Sequence, residues 1–212
     1  MEKEFKQILQ NRRAINFFNP ERDVPEQLLR ELVEEATHSP SSFNLQPWNM
    51  LVLRDKEEKM RLQKLAMNQP KVSEAPVTLI ILADTKAWHK ENDALHIVLN
   101  HKLQDGELKE EQKDWFFGVC ERLYGKSRDS ELAFAVKNTA FFAMSLMYAA
   151  TAKGLQTHPM DGFDHDGVKK EFNIPENYWV PLLMSVGYHA DNAEILPVKK
   201  RKSYDELVLT FP

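Results

Sequence analysis

The stretch from Asn138 to Ala152 constrains the fold strongly, because it carries no charged residue and is rich in alanine, phenylalanine and methionine. It is shorter than the roughly 20 apolar residues that a helix needs to cross a bilayer. An apolar run of this kind must be covered by other parts of the chain. The pattern predicts a long buried helix from Leu132 to Lys153, ended by Gly154.

Three short runs are apolar and rich in strand-forming residues, at Asn49–Leu53, Val77–Ala83 and Pro181–Tyr188. Such runs are typical of buried strands. Val24–Ala36 instead places its apolar residues on one stripe at helical spacing, and Glu57–Met67 also has a helical pattern. The mixed order of strands and helices predicts an α+β fold with one sheet.

Two segments are less regular than the rest. The segment 86–130 is polar but carries several aromatic residues, which predicts a helical insertion of the kind that forms a lid over a site. Near the end of the chain, the basic cluster Lys199–Lys202 precedes the apolar residues 207–211, which suit an edge strand or an arm packed on a partner. We expect one domain, 1–212.

The charge balance excludes two classes of partner. The 28 Lys and Arg and the 32 Asp and Glu are spread along the chain and give a net charge of −4. No basic face is left for a nucleic acid and no polybasic anchor for a membrane. The single Cys120 cannot form an internal disulfide, and the first residues lack the apolar core of a secretory signal. We therefore expect a cytoplasmic protein.

Several common catalytic patterns are missing from the sequence. The seven histidines are scattered, and His96 and His101 are five residues apart, which does not suit one helix face; we expect no metal site. The sequence also lacks the GxSxG, HExxH, P-loop and GxGxxG patterns. Cys120 is either a small core residue or a nucleophile, and its apolar neighbours favour the core.

Four polar places remain as candidate sites, and each has an ordinary structural explanation too. Arg12 and Arg13 could hold a phosphate or be solvated surface charges, and the cluster Lys199–Lys202 has the same two explanations. The stretch 38–55, "HSPSSFNLQPWNMLVLRD", could be a loop or a set of hydrogen-bond donors. In Pro159–Asp164, "PMDGFD", a turn is the alternative to a glycine that lets backbone approach a flat ligand.

Taken together, these places resemble the FMN-dependent nitroreductase family. The resemblance rests on five motifs in the family's order and spacing, of which "PSSFNLQPW" is the most specific. They are "RRAINFF" at 12–18, "PSSFNLQPW" at 40–48, "NQPKV" at 68–72, "KGLQTHPMDGFD" at 153–164, and "SVGYH" with the basic tail at 185–201.

The resemblance implies an α+β nitroreductase-like fold, with a central mixed or antiparallel sheet surrounded by helices. It also implies an intertwined homodimer with exchanged C-terminal arms and an FMN at each side of the interface. Cationic residues would hold the phosphate, and residues of 68–71 would reach the ribityl chain or the ring edge. Pro40, Ser41, Ser42 and Asn44 would come from the partner subunit. Residues 159–162 would line the flavin near N5, with the Gly162 amide as a candidate donor. The implied cofactor-binding residues are Arg12, Arg13, Ala14, Pro40, Ser41, Ser42, Asn44, Gln46, Asn68, Gln69, Lys71, Pro159, Met160, Asp161, Gly162, Lys199 and Arg201.

Two positions depart from the family pattern. Ala14 stands where the family often has a serine, so one hydroxyl contact to the phosphate is missing, and Ser145 stands where an asparagine is frequent. The cluster at the end leaves open whether Lys199, Lys200 or Arg201 contacts the phosphate. We predict Trp115, Phe116 and Phe117 as a lid over the flavin, with simple helix packing as the alternative.

The implied activity has two steps: NAD(P)H reduces the FMN and leaves, and a nitroaromatic or quinone acceptor is then reduced in the same place. The flavin carries the chemistry, so no catalytic acid is required. Two alternatives remain open. One is other chemistry on the same scaffold, such as reductive dehalogenation or flavin breakdown, and the other is a protein that binds flavin without catalysis.

Overall fold

The computed structural model describes residues 2–211. Its central sheet has four strands. The strand order is β1-β2-β4-β3, with every neighbouring pair antiparallel. All residues of β2 are buried, since this strand is central and covered on both faces. The strands are β1 Trp48–Leu53, β2 Val77–Asp84, β3 Gln156–Met160 and β4 Tyr178–Gly187. The three strands predicted from apolar runs are confirmed as β1, β2 and β4.

Helices surround the sheet. The prediction of an α+β fold with a central sheet surrounded by helices is therefore confirmed. Two short 3₁₀ turns, Ser42–Asn44 and Glu110–Gln112, join them. The helices are α1 Glu2–Asn11, α2 Glu26–Ala36, α3 Lys56–Leu65, α4 Lys71–Glu74, α5 Asp93–Gln104, α6 Lys113–Tyr124, α7 Arg128–Ala152, α8 His165–Glu171 and α9 Tyr204–Leu207.

The long helix α7 contributes many side chains to the main hydrophobic core. Ser127 caps its first turn by accepting a hydrogen bond from the Ser130 amide, and Gly154, with φ +78°, follows its end in the left-handed conformation. The helix packs against α2 and the sheet, and Phe142 stacks on Trp48 with ring centroids 5.2 Å apart. By length and composition alone, α7 is apolar enough to cross a membrane, but half of that stretch is buried inside the protein.

The other face of the sheet is covered by α3 and α8. Asp55 begins α3 by accepting hydrogen bonds from the amides of Glu57 and Glu58, and Asp164 begins α8 by accepting one from Gly167. Their apolar residues join a second core with Ile80 and other inward-facing residues of β2. A third core lies among α5, α6 and the first half of α7.

Strand β3 was not predicted from the sequence, where a turn was one of two explanations of Pro159–Asp164. Pro159 lies within β3, and the irregular segment begins only at Asp161. A proline is tolerated there because β3 is at the edge of the sheet and β4 is its one neighbouring strand in the sheet. The edge strand also forms an isolated parallel bridge between Thr157 and Ala14, which joins it to the segment after α1.

The two chain ends differ from the expectation in part. Helix α1 was not predicted; it packs on α7, with the rings of Phe5 and Tyr148 in contact. In the tail, residues 207–211 form no strand, so the edge-strand alternative is wrong for the residues that the structure describes. Segment 208–211 has no regular secondary structure and is exposed, and its role as an arm on a partner stays a prediction.

Candidate functional site

Four cationic residues from opposite ends of the chain line one cavity of about 200 Å³. Arg12 and Arg13 follow α1, and Lys199 and Arg201 come from the tail that crosses this surface. Of the tail cations left open by the sequence, these two line the cavity. The full lining is Arg12, Arg13, Ala14, Ile15, Asn16, His189, Glu194, Ile195, Leu196, Pro197, Val198, Lys199 and Arg201.

The arginines are held in place by backbone carbonyl groups. Arg13 Nη1 donates to the carbonyl oxygens of Gln10 and Arg12, the latter at 3.1 Å, and Arg201 Nη1 donates to that of Lys199 at 2.9 Å. A guanidinium has five N–H donors, so these bonds orient each head and leave further donors for a ligand. Glu194 is the acidic residue of the lining, which leaves four cations against one carboxylate and favours an anion.

Lys71 is joined to the wall of this cavity through Asn16. Its Nζ lies 2.9 Å from Asn16 Oδ1 and 3.1 Å from His158 Nε2. The other ring nitrogen of His158, Nδ1, lies 2.5 Å from the Ile15 carbonyl oxygen. The predicted cofactor residue Lys71 is therefore fixed beside the arginine cavity, and partial burial lowers its pKa.

The loop that begins with Asn68 contacts the glycine of "PMDGFD". Gln69 Nε2 donates to the Gly162 carbonyl oxygen at 3.0 Å, so two of the predicted motifs meet. A Cβ added to Gly162 would lie 3.2 Å from Met67 Sδ, which shows how closely this loop approaches the glycine. Met67 and Asn68 both have positive φ, a conformation that costs free energy and often marks a functional loop.

The residues before Gly162 differ in their suitability for a ligand. Met160 is 4% exposed and its side chain belongs to the core under β3, so only its backbone is placed to line a flavin, and its role there stays a prediction. Pro159 is partly exposed at the sheet edge, and Asp161 is exposed at the turn.

The loop at 40–46 is tightly built around backbone hydrogen bonds. Ser41 Oγ accepts from the Gln46 amide at 3.0 Å, and the buried Asn138 of α7 accepts from the Ser42 amide at 3.1 Å. Phe43, Asn44 and Gln46 all have positive φ. Between residues 2 and 211, most non-glycine residues with positive φ therefore lie in two segments, this loop and Met67–Asn68. Both segments are at predicted flavin-binding loops, where such strained conformations often occur.

This loop lies apart from the arginine cavity within one chain, since no residue of 40–46 lines that cavity or the groove beside Arg12, Arg13 and Arg201. Asn138, which holds Ser42, and Met144, which lines the groove, are six residues apart on α7. At 1.5 Å per residue that spacing is about 9 Å. The cationic cavity is thus connected to Lys71 through Asn16, and Gly162 contacts Gln69 of the neighbouring loop. The 40–46 loop is not part of this group of contacts.

Ser145, one of the two departures from the family pattern, has a clear structural partner. Ser39 Oγ, in the buried start of the same loop, donates to Ser145 Oγ at 2.7 Å and lies 3.3 Å from the Phe141 carbonyl oxygen. Ala14, the other departure, is exposed in the lining of the cavity and offers no side-chain hydrogen bond there.

The three aromatic residues predicted as a lid differ in exposure. Phe116 is 2% exposed and packs edge-on against Phe43, which favours helix packing, the alternative to a lid, for this residue. Residues on a helix face different sides, which the sequence alone did not resolve. Trp115 is 59% exposed and Phe117 is partly buried against His96, and for these two the lid role stays a prediction.

Other reactive groups are placed in the core or dispersed. Burial raises the pKa of the Cys120 thiol to about 11, as expected for a small core residue rather than a nucleophile. No group of three or more His, Cys, Asp or Glu side chains between residues 2 and 211 is arranged to hold a metal ion.

Three contributors to the site were missed from the sequence: His158, Asn16 and Asn138. His158 and Asn16 lie inside two of the five motifs, so their position in those motifs could have identified them as candidates. Asn138 gave none beyond being a polar residue within an apolar helix, which often marks a buried hydrogen bond.

Comparisons with known proteins agree with this arrangement. The family model described as "Nitroreductase family" matches residues 9–188. A relative named NADH dehydrogenase from Thermus thermophilus is 34% identical over 182 residues, covering 85% of this chain and 84% of the relative.

Two solved structures share the fold. The structure of YdfN from Bacillus subtilis, assigned as a nitroreductase, has a TM-score of 0.90 and 25% identity and covers 100% of both chains. A protein from Exiguobacterium sibiricum, also assigned as a nitroreductase and solved in complex with FMN, has a TM-score of 0.82 and 25% identity, with 96% of this chain and 95% of that chain covered.

Proposed function

Because the chain belongs to the nitroreductase family, we propose that it is an FMN-dependent oxidoreductase that uses NAD(P)H to reduce nitroaromatic or quinone acceptors in two half-reactions. The observation that carries the proposal is the cavity in which Arg12, Arg13, Lys199 and Arg201 meet. The FMN complex of a protein of the same fold and the name NADH dehydrogenase of another relative support it.

The residues present fit the parts of FMN. The four-cation cavity suits a phosphate dianion, because charge-assisted and bidentate hydrogen bonds are strong. Lys71 lies next to the cavity through Asn16, where it would meet the ribityl chain or the ring edge. Asn68 and Gln69 would lie along the same edge, because Gln69 contacts Gly162.

The bound flavin would supply the hydride chemistry, accepting a hydride from the nicotinamide and passing electrons to the acceptor. The chain would bind and orient it. Lys71 would place positive charge near the ring and the Gly162 amide would donate to it. In the part of the chain that the structure describes, that amide has no backbone or side-chain acceptor. Both contacts would stabilise electron density on the ring.

A second copy of the chain completes the proposed site. Ser41, Ser42 and Asn44 of the partner subunit would reach the flavin held by the first, which explains why this loop lies apart from the cations in one chain. The tail supports a dimer as well. Leu207, Leu209 and Phe211 are exposed, the last at 80%, and such apolar side chains are normally covered by a partner.

Complementation tests the shared site. Mixed dimers of an Arg13→Ala chain and an Asn44→Ala chain have one site with both changes and one with neither. Random mixing of the two variants should therefore restore normal FMN affinity at about one site in four. If both loops served the flavin of their own chain, mixing would restore none.

Steady-state turnover tests the activity. Protein reconstituted with FMN should oxidise NADH or NADPH when menadione or nitrofurazone is present, and initial rates at several acceptor concentrations should give parallel double-reciprocal lines. FMN binding without turnover by any acceptor would support a non-catalytic flavin protein instead. Consumption of the flavin itself or release of halide from a halogenated substrate would support the other flavin chemistries.

A further inference from the structure

His158 of β3 has a defined tautomer because its two ring nitrogens face different partners. Nδ1 lies 2.5 Å from the Ile15 carbonyl oxygen, which can only accept a hydrogen bond. Nδ1 must therefore carry the proton of the neutral ring. Nε2 is then an acceptor, and it receives a hydrogen bond from Lys71 Nζ at 3.1 Å.

The same arrangement fixes the direction of Lys71. Its ammonium has three protons, of which one is directed to His158 and one to Asn16 Oδ1 at 2.9 Å. Ile15 and Asn16 both line the cationic cavity, so His158 lies directly behind its wall. The two acceptors leave the third proton of Lys71 for a group at the edge of the cavity.

We propose that His158 is a positioning residue that holds Lys71 toward the flavin ring and thereby couples the reduction potential of the bound flavin to pH. This inference rests on the proposed function, because it needs FMN in the site. A neutral His158 accepts from Lys71 and keeps the ammonium in place. A protonated His158 has donors on both nitrogens, loses the acceptor and repels the ammonium.

The groups around His158 favour its neutral form. Burial lowers the pKa of His158, the hydrogen bond to the Ile15 carbonyl raises it, and the charge of Lys71 lowers it further. The neighbour on β4, Ser185, is uncharged and donates to the Lys71 carbonyl oxygen at 2.9 Å. Lys71 is thus the charged group that faces this ring, from α4. We expect His158 to be protonated only below the ordinary pKa of about 6.5. The contact with Lys71 should therefore be lost only at acidic pH.

Three variants test the proposal. His158→Leu removes the acceptor, His158→Gln places an amide oxygen near the position of Nε2 as a conservative rescue, and Lys71→Met removes the charge. In the protein without flavin, NMR titration should show that Lys71→Met raises the midpoint of His158. This first readout does not depend on FMN or on turnover.

The second readout is the midpoint potential of bound FMN between pH 5 and 8, set chemically without NAD(P)H. Flavin reduction takes up protons and gives the potential a pH slope of its own; in the wild type, an additional inflection at the His158 midpoint should lie on that slope. His158→Leu should remove this inflection. At neutral pH it should weaken the preference of the site for reduced over oxidised flavin about tenfold, which is a potential about 30 mV lower for a two-electron couple. His158→Gln should keep the neutral-pH potential and lose the inflection.

Two results would overturn the proposal: an unchanged His158 midpoint in Lys71→Met, or a wild-type potential and inflection in folded His158→Leu. If FMN binds but neither nicotinamide reduces it, the proposed function fails while the potential still tests His158. Circular dichroism checks that each variant is folded. If His158→Leu does not fold, the His158 midpoint in Lys71→Met still tests the proposal.

Discussion

Replacing Arg13 with alanine should raise the dissociation constant for FMN about tenfold. Arg13 is one of four cations in the cavity lining, against one carboxylate. A hydrogen bond to a charged group contributes about 1.5–3 kcal/mol. The side chain is only partly buried and already donates to two carbonyl oxygens, so the lower end applies. About 1.4 kcal/mol corresponds to a factor of ten in affinity.

Lys200 gives the matched control for this experiment. It lies between Lys199 and Arg201 in the sequence and carries the same charge, but it is not in the cavity lining. Lys200→Ala should therefore change FMN affinity by less than about twofold, the size expected for an exposed, screened charge. Affinity is measured by quenching of flavin fluorescence during titration of the protein without cofactor.

The comparison is informative only if both variants fold. Arg13 caps carbonyl groups at the end of α1 on the surface, so its loss should move the melting temperature by less than about 3 °C, equivalent to about 1 kcal/mol for a chain of this size. Equal affinities in Arg13→Ala and the wild type would remove this arginine from the phosphate site. Equal losses in Arg13→Ala and Lys200→Ala would mean that net charge alone, rather than the cavity, attracts the cofactor.

Further predictions concern the loop at 40–46 and the core. Asn44→Gly should lower FMN retention without lowering the melting temperature, since glycine adopts the φ of 60° at no cost; a large fall in melting temperature would make Asn44 structural. Asn138→Ala should lower the free energy of unfolding in urea by about 1–3 kcal/mol, because the half-buried Ser42 amide loses its acceptor on the buried Asn138, and unchanged stability would contradict that. With a pKa of about 11, Cys120 should react with Ellman's reagent at pH 8 only after denaturant is added, and rapid reaction of the native protein would show that the thiol is accessible.

The elements that could be predicted from the sequence are those whose pattern is local. Strands β1, β2 and β4 are continuous apolar runs, and α7 is an apolar run bounded by charges and a glycine, so no distant contact is needed to recognise them. Strand β3 is different, because Gln156, His158 and Pro159 do not have a strand pattern. Its conformation depends on pairing with β4, which is a tertiary contact.

The site could be predicted as a set of residue types but not as a set of contacts. The paired arginines and the basic tail were identified separately, the family resemblance grouped them at one phosphate, and the fold shows Arg12 and Arg201 in one cavity. Phe116 and Met160 were assigned to the site because their neighbours belong to it, whereas their own side chains turn into the core. The contact between Lys71 and His158 joins residues 87 positions apart, which no spacing rule anticipates.

The most direct test of the central claim is a half-reaction without any acceptor. Protein reconstituted with FMN is mixed anaerobically with NADH, and separately with NADPH, while the flavin absorbance is followed. The account predicts that at least one nicotinamide bleaches the bound flavin and that menadione then restores the full absorbance. If FMN binds but stays oxidised in excess of both nicotinamides, the chain is not the reductase proposed here.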